Sequence, residues 1–149
     1  MNARQVDLRG VNPLVEIIVR AGDVSVPGAR KSLQDAYTQR DEDNYPDIIG
    51  MSVVFRPGAT LDQLAQQSNF PHRKLSFSVI GRITEELERV GYEPLLFATS
   101  TSDLPHHHSL AVARVGAMMS VEPTLSDVAA DALISALTVV DNPYRRSKR

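Results

Sequence analysis

Short apolar runs closed by turn residues alternate along this chain with stretches of helical periodicity, and that alternation restricts it to a mixed helix-and-sheet architecture. The run NPLVEIIVR (12–20) is β-branched and broken only by Glu16, which predicts a mostly buried strand. After a Gly/Asp/Pro loop, ARKSLQDAYTQRDED places Leu33, Ala36 and Tyr37 on one helical face. DIIGMSVVF predicts a second strand, RPG a turn, and ATLDQLAQQSNF a helix capped by Thr60. KLSFSVIGR sets Leu75, Phe77 and Val79 against Ser76, Ser78 and Ile80, a half-buried strand with its serines outward. TEELERVGY predicts a short helix capped by Thr84 and stopped at Gly91. EPLLFATS and HHHSLAVARV predict two more strands around a polar loop. In TLSDVAADALISALTVV apolar residues recur at three and four positions throughout, a final helix that DNPY ends.

The expected order is β-α-β-α-β-α-β-β-α. It corresponds to a single compact α+β domain over residues 13–141, with a mixed, mostly antiparallel sheet and about four helices. Residues 1–12 are expected as an N-terminal tail and 142–149 as a basic C-terminal tail. A length of 149 residues fits one domain, and a hydrophobic fraction of 42% is enough for one core. Cysteine is absent, which excludes disulfides and thiolate zinc sites. With a net charge of −2 and no Trp, neither a basic field nor stacking platforms point to nucleic acid, apart from the tail YRRSKR. The first residues lack the apolar core of a signal peptide, and no apolar run reaches the roughly 18–20 residues that span a bilayer. The expected location is cytoplasmic, or outside after delivery without a cleavable signal peptide, with no membrane as partner.

The chemistry-bearing residues are concentrated in DLPHHHSLAVAR (103–114). Alternation along a strand sends His106 and His108 to one face and His107 and Ser109 to the other. One face therefore offers a metal at most two imidazoles, and the only other histidine is His72, so no metal is expected. His107-His108-Ser109 also fits the His-x-Ser/Thr pattern of two-histidine phosphoesterases, but the chain has no second copy of it. A Gly-x-Ser-x-Gly elbow, a reactive cysteine and a glycine-rich phosphate loop are all missing. The remaining candidates are polar groups in or at the ends of strands: Arg20, Ser52, Ser76, Ser78, His107, His108 and Ser109. For Arg20 an ion pair with Asp23 is the alternative.

The segments IIVRAG, GMSVVF and HHHSLAV, in that order, resemble those of small ADP-ribosyltransferase-like toxin domains, including toxins delivered by type VI secretion. The resemblance implies an NAD-binding toxin or modifier of a cellular target. Arg20, Ser52 and Ser109 would contact NAD, with His107 and His108 at the reacting end. It also implies a protein partner, an antitoxin or immunity protein. The catalytic Glu or Gln of that family has no counterpart on a late strand here, Glu93 and Glu122 being the nearest carboxylates. The second reading is a non-enzymatic interaction domain, one half of a two-protein system, docking through the apolar last helix or the basic tail.

Overall fold

A computed structural model describes residues 3–68, 70–118 and 120–144. Three successive buried residues, Ile17, Ile18 and Val19, show why the first apolar run is continuous: this strand is covered on both faces. It is β2 (Ile17–Ala21), preceded by a short strand, β1 (Arg4–Val6). The chain continues through α1 (Ala29–Thr38), β3 (Met51–Val54), α2 (Leu61–Ser68), β4 (Lys74–Val79), α3 (Ile80–Arg89), β5 (Tyr92–Ala98), β6 (His107–Arg114), α4 (Asp127–Ala136) and β7 (Thr138–Asp141). The strands form one seven-stranded sheet in the order β1-β5-β6-β3-β2-β4-β7. Among the described residues all six neighbouring strand pairs are antiparallel, and these residues form a single compact α+β domain. No helix among the described residues is long and apolar enough to cross a membrane.

One face of the sheet carries α1, α3 and α4 over the larger core, in which Ile18, Leu33, Tyr37, Ile83, Leu87 and Leu133 are almost fully buried. Alanines at 129, 130, 132 and 136 let α4 approach α3 and α1 closely. The opposite face is divided. Helix α2 covers the β3-β2-β4 half with Leu64 and Ala65, which pack with Val19, Val54 and Leu75. The β3-β6-β5 half is left to loops, and the site lies there.

Several expectations are corrected. The segment 1–12 is not a tail: β1 pairs with β5, and Val6 is buried. Thr84 is not a cap, because α3 begins at Ile80 directly after β4. The first helical amides, Ile80 N and Gly81 N, are taken by the carbonyls of Glu16 and Pro13 at 2.9 Å, so no side-chain cap is required. Ser76 and Ser78 are buried rather than outward, their hydroxyls donating to the carbonyls of Gly22 and Val79. The final helix stops at Ala136, and Thr138–Asp141 leaves it to pair with β4 as an edge strand, as suits the β-branched TVV. The apolar face of α4, through which docking was expected, is buried in the core. Of the basic C-terminal tail, Asn142 is buried, with its side-chain amide donating to the carbonyls of Phe70 and His72. Residues 145–149 lie outside the described residues.

Candidate functional site

In the antiparallel register Ser52 stands opposite Ser109, Val54 opposite His107, and Ala98 opposite His108. The hairpin continues to Thr99, whose amide donates to the His107 carbonyl at 3.2 Å. Ser52, His107, Ser109 and Thr99 therefore emerge on one face from three adjacent strands, within reach of direct and diagonal cross-strand contact.

The side chains join in a chain of hydrogen bonds. His107 Nε2 is 2.9 Å from Ser52 Oγ. His107 Nδ1 lies 3.2 Å from the Thr99 carbonyl oxygen and 2.8 Å from Thr99 Oγ1. Thr99 Oγ1 is in turn 3.0 Å from Ser109 Oγ. A carbonyl oxygen only accepts, so Nδ1 carries the imidazole hydrogen and Nε2 presents its lone pair to the Ser52 hydroxyl. Burial pushes the His107 imidazole below its ordinary value of 6.5, opposed by the bond to the Thr99 backbone and by the charge of Asp41. The ring is thus held neutral, in the tautomer that can take a proton from Ser52.

These groups line a cavity of about 220 Å³. Its walls come from the α1–β3 connection, including Arg40, Asp41 and Tyr45, and from the β5–β6 loop, including Thr101 and Leu104. The two loops are tied where the Tyr45 hydroxyl donates to the Ser100 carbonyl at 2.7 Å. Gly50, at φ 151°, leads into β3 so close to β6 that a Cβ would sit 2.9 Å from the Leu110 carbonyl oxygen. That close approach sets the base of the cavity. Asp41 is engaged by the amide and side chain of Asn44, so it acts on His107 through charge.

Arg20 and His108 do not join this cluster. Val19 is opposite Val54, on the face of Ser52, so Arg20 projects to the other face. There its Nη1 donates to the Ala21 carbonyl at 3.1 Å, and Asp23 bonds to Ser25 instead of to it. His108 shares that opposite face, edge-on to Phe55 with ring centroids 5.3 Å apart, and its Nδ1 donates to the His106 carbonyl. Burial lowers its pKa, opposed by the bond to the His106 carbonyl, and the charges of His107, Arg4 and His106 add to the lowering. Of the five residues that the resemblance assigned to a site, Ser52, His107 and Ser109 converge, while Arg20 and His108 are separated from them by the sheet. Thr99 was missed because it closes EPLLFATS just where the polar loop begins. Pairing that run with HHHSLAVARV as a hairpin is the signal that would have found it. Arg40 and Asp41 carried no signal, since a charged loop reads as solvated.

Among the described residues no group of three His, Asp or Glu side chains converges as a metal site. Comparison with family models, with curated proteins and with solved structures gave no match for the chain.

Proposed function

We propose that the cavity is an enzyme site in which Ser52 is the nucleophile and His107 its general base, acting on a small carboxylic ester or similarly activated acyl group. The observation that carries this reading is the bridging imidazole, with Nε2 on Ser52 Oγ and Nδ1–H on the Thr99 carbonyl. A serine hydroxyl is a weak nucleophile unless an adjacent base removes its proton as it attacks, and the base must be held in one tautomer by a third group. Here a backbone carbonyl takes the place usually held by a carboxylate. In the acylation step Ser52 Oγ bonds to the carbonyl carbon and its proton passes to His107 Nε2. The carbonyl π pair moves to oxygen and returns as the alcohol departs with the proton from His107. Water then releases the acid by the same exchange in reverse. A volume near 220 Å³ lies below the roughly 300–1,000 Å³ of drug-sized pockets, which suits a short acyl group.

The test is labelling with a fluorophosphonate, in which Ser52 Oγ displaces fluoride at phosphorus. Intact mass and peptide mapping should place one adduct on Ser52 and lose it in His107→Ala. An unlabelled protein, or labelling that survives His107→Ala, would overturn the assignment.

The second reading is an NAD-using ADP-ribosyltransferase-like activity on a cellular target. What favours it is the meeting of Ser52, His107 and Ser109 in one cavity. Arg20 faces away, so Arg40 would be the cation for the phosphates. Calorimetry that detects NAD binding, lost in Arg40→Ala and unchanged in Arg20→Ala, would favour this reading over the first.

A further inference from the structure

A second concavity, of about 950 Å³, lies at the opposite end of the sheet from β7, where α3 flanks β5 and the end of β1. Its floor is apolar, built on Leu8, Ile80 and Pro94. The same three side chains border a gap of about 10 Å³ beneath, lined by apolar residues alone. Such a gap stays dry.

The rim is acidic. Asp7, Glu85, Glu88 and Glu93 border the groove, against one cation, Arg9, which is bound to Asp7. Glu85 is paired with Arg89 at 3.6 Å. Among the described residues Glu88 and Glu93 make no ion pair, and Glu93 is half-buried. A half-buried carboxylate without a cation beside an apolar floor is complementary to a segment bearing both positive charge and aliphatic side chains. The backbone adds a direction. Among the described residues β1 pairs only with Leu96, Phe97 and Ala98 of β5, and no strand lies on the outer side of the Tyr92–Leu95 half. Pro94 gives this edge no amide donor, so an extended segment along it is held mainly by its side chains, which alternate between floor and rim.

We infer that the α3–β5 groove is a docking site for an extended peptide segment of a partner protein in which Lys or Arg alternates with aliphatic residues. This site is separate from the Ser52–His107 cavity and independent of the reaction proposed there.

The probe is a fluorescein-labelled peptide of alternating Lys and Leu, with Lys-Ser and Glu-Leu peptides as controls, titrated against the full chain by anisotropy. Only the Lys-Leu peptide should bind saturably. Amide chemical-shift changes should be confined to Leu8, Thr84, Glu88, Glu93 and their neighbours. Charge reversal in Glu93→Lys should weaken binding by about tenfold. The exposed Glu88→Lys should also weaken it, which keeps the test sound if Glu93→Lys perturbs the fold. The inference fails if the Lys-Leu peptide does not bind, if Lys-Ser binds equally well, or if the shifts fall elsewhere. It also fails if both reversals leave affinity unchanged, or if a second copy of the chain occupies the groove and excludes the peptide.

Discussion

The two faces of the central sheet use the same kinds of residue to opposite ends. On the helical face, Ser76, Ser78 and His108 are buried and satisfied by backbone carbonyls. On the loop-covered half of the other face, Ser52, His107, Thr99 and Ser109 bond to one another, and Ser52 stays exposed to the cavity. A serine or histidine bonded only to a backbone carbonyl is structural. The same groups in series, ending at an open hydroxyl, can do chemistry. The difference lies in what covers each face rather than in residue type.

The contrast can be broken by mutation. Leu133 is 1% exposed beneath the helical layer, and Leu133→Ala is expected to cost about 2–5 kcal/mol by urea unfolding. Ser52→Ala should change stability by less than about 0.5 kcal/mol while abolishing the adduct. A large loss of stability in Ser52→Ala would make it a structural residue like those opposite. Gly50→Ala falls between the two, because its left-handed φ and contact with Leu110 impose about 1–3 kcal/mol of strain. It should also slow labelling of Ser52, since the cavity wall must shift to admit the methyl group. An unperturbed variant would show that this close approach is dispensable.

Smaller effects come from pH. His107 has a lowered pKa in the folded protein, so the unfolded chain binds its proton first as pH falls. Its contribution to stability is complete above pH 6.5 and is lost as pH drops from there through the folded value. His107→Asn should therefore flatten the pH dependence of the urea midpoint below 6.5. His108 has the same direction of shift and will leave a residual slope. The smallest expected change is that of Arg20→Ala on Ser52 labelling, which should be none. A loss there would mean that the two faces are coupled through β2 and β3.

Much of this fold was legible from local pattern. Strands such as EIIVR and helices such as SLQDAY carry their periodicity in a few residues, and alternation correctly separated His107 and Ser109 from His108. The failures occurred where distant segments decide. β1 is too short to signal a strand alone and exists because β5 offers an edge. The apolar TVV after α4 continues a helical spacing until β4 takes it into the sheet. The start of α3 is set by carbonyls of Pro13 and Glu16, remote from any capping motif within the helix. The site was half legible for the same reason. Strand residues could be assigned to faces, but which strands neighbour one another determined that Ser52 meets His107 and that Arg20 does not.

The account rests on the protonation of one ring. Nitrogen-15 NMR of the His107 imidazole near neutral pH measures it directly. Nδ1 should be protonated and Nε2 unprotonated, and the ring should titrate below 6.5. Loss of the Ser52 hydroxyl in Ser52→Ala should shift the Nε2 resonance more than the Nδ1 resonance. A proton found on Nε2, or a ring charged at neutral pH, would contradict the assignment of His107 as the base for Ser52.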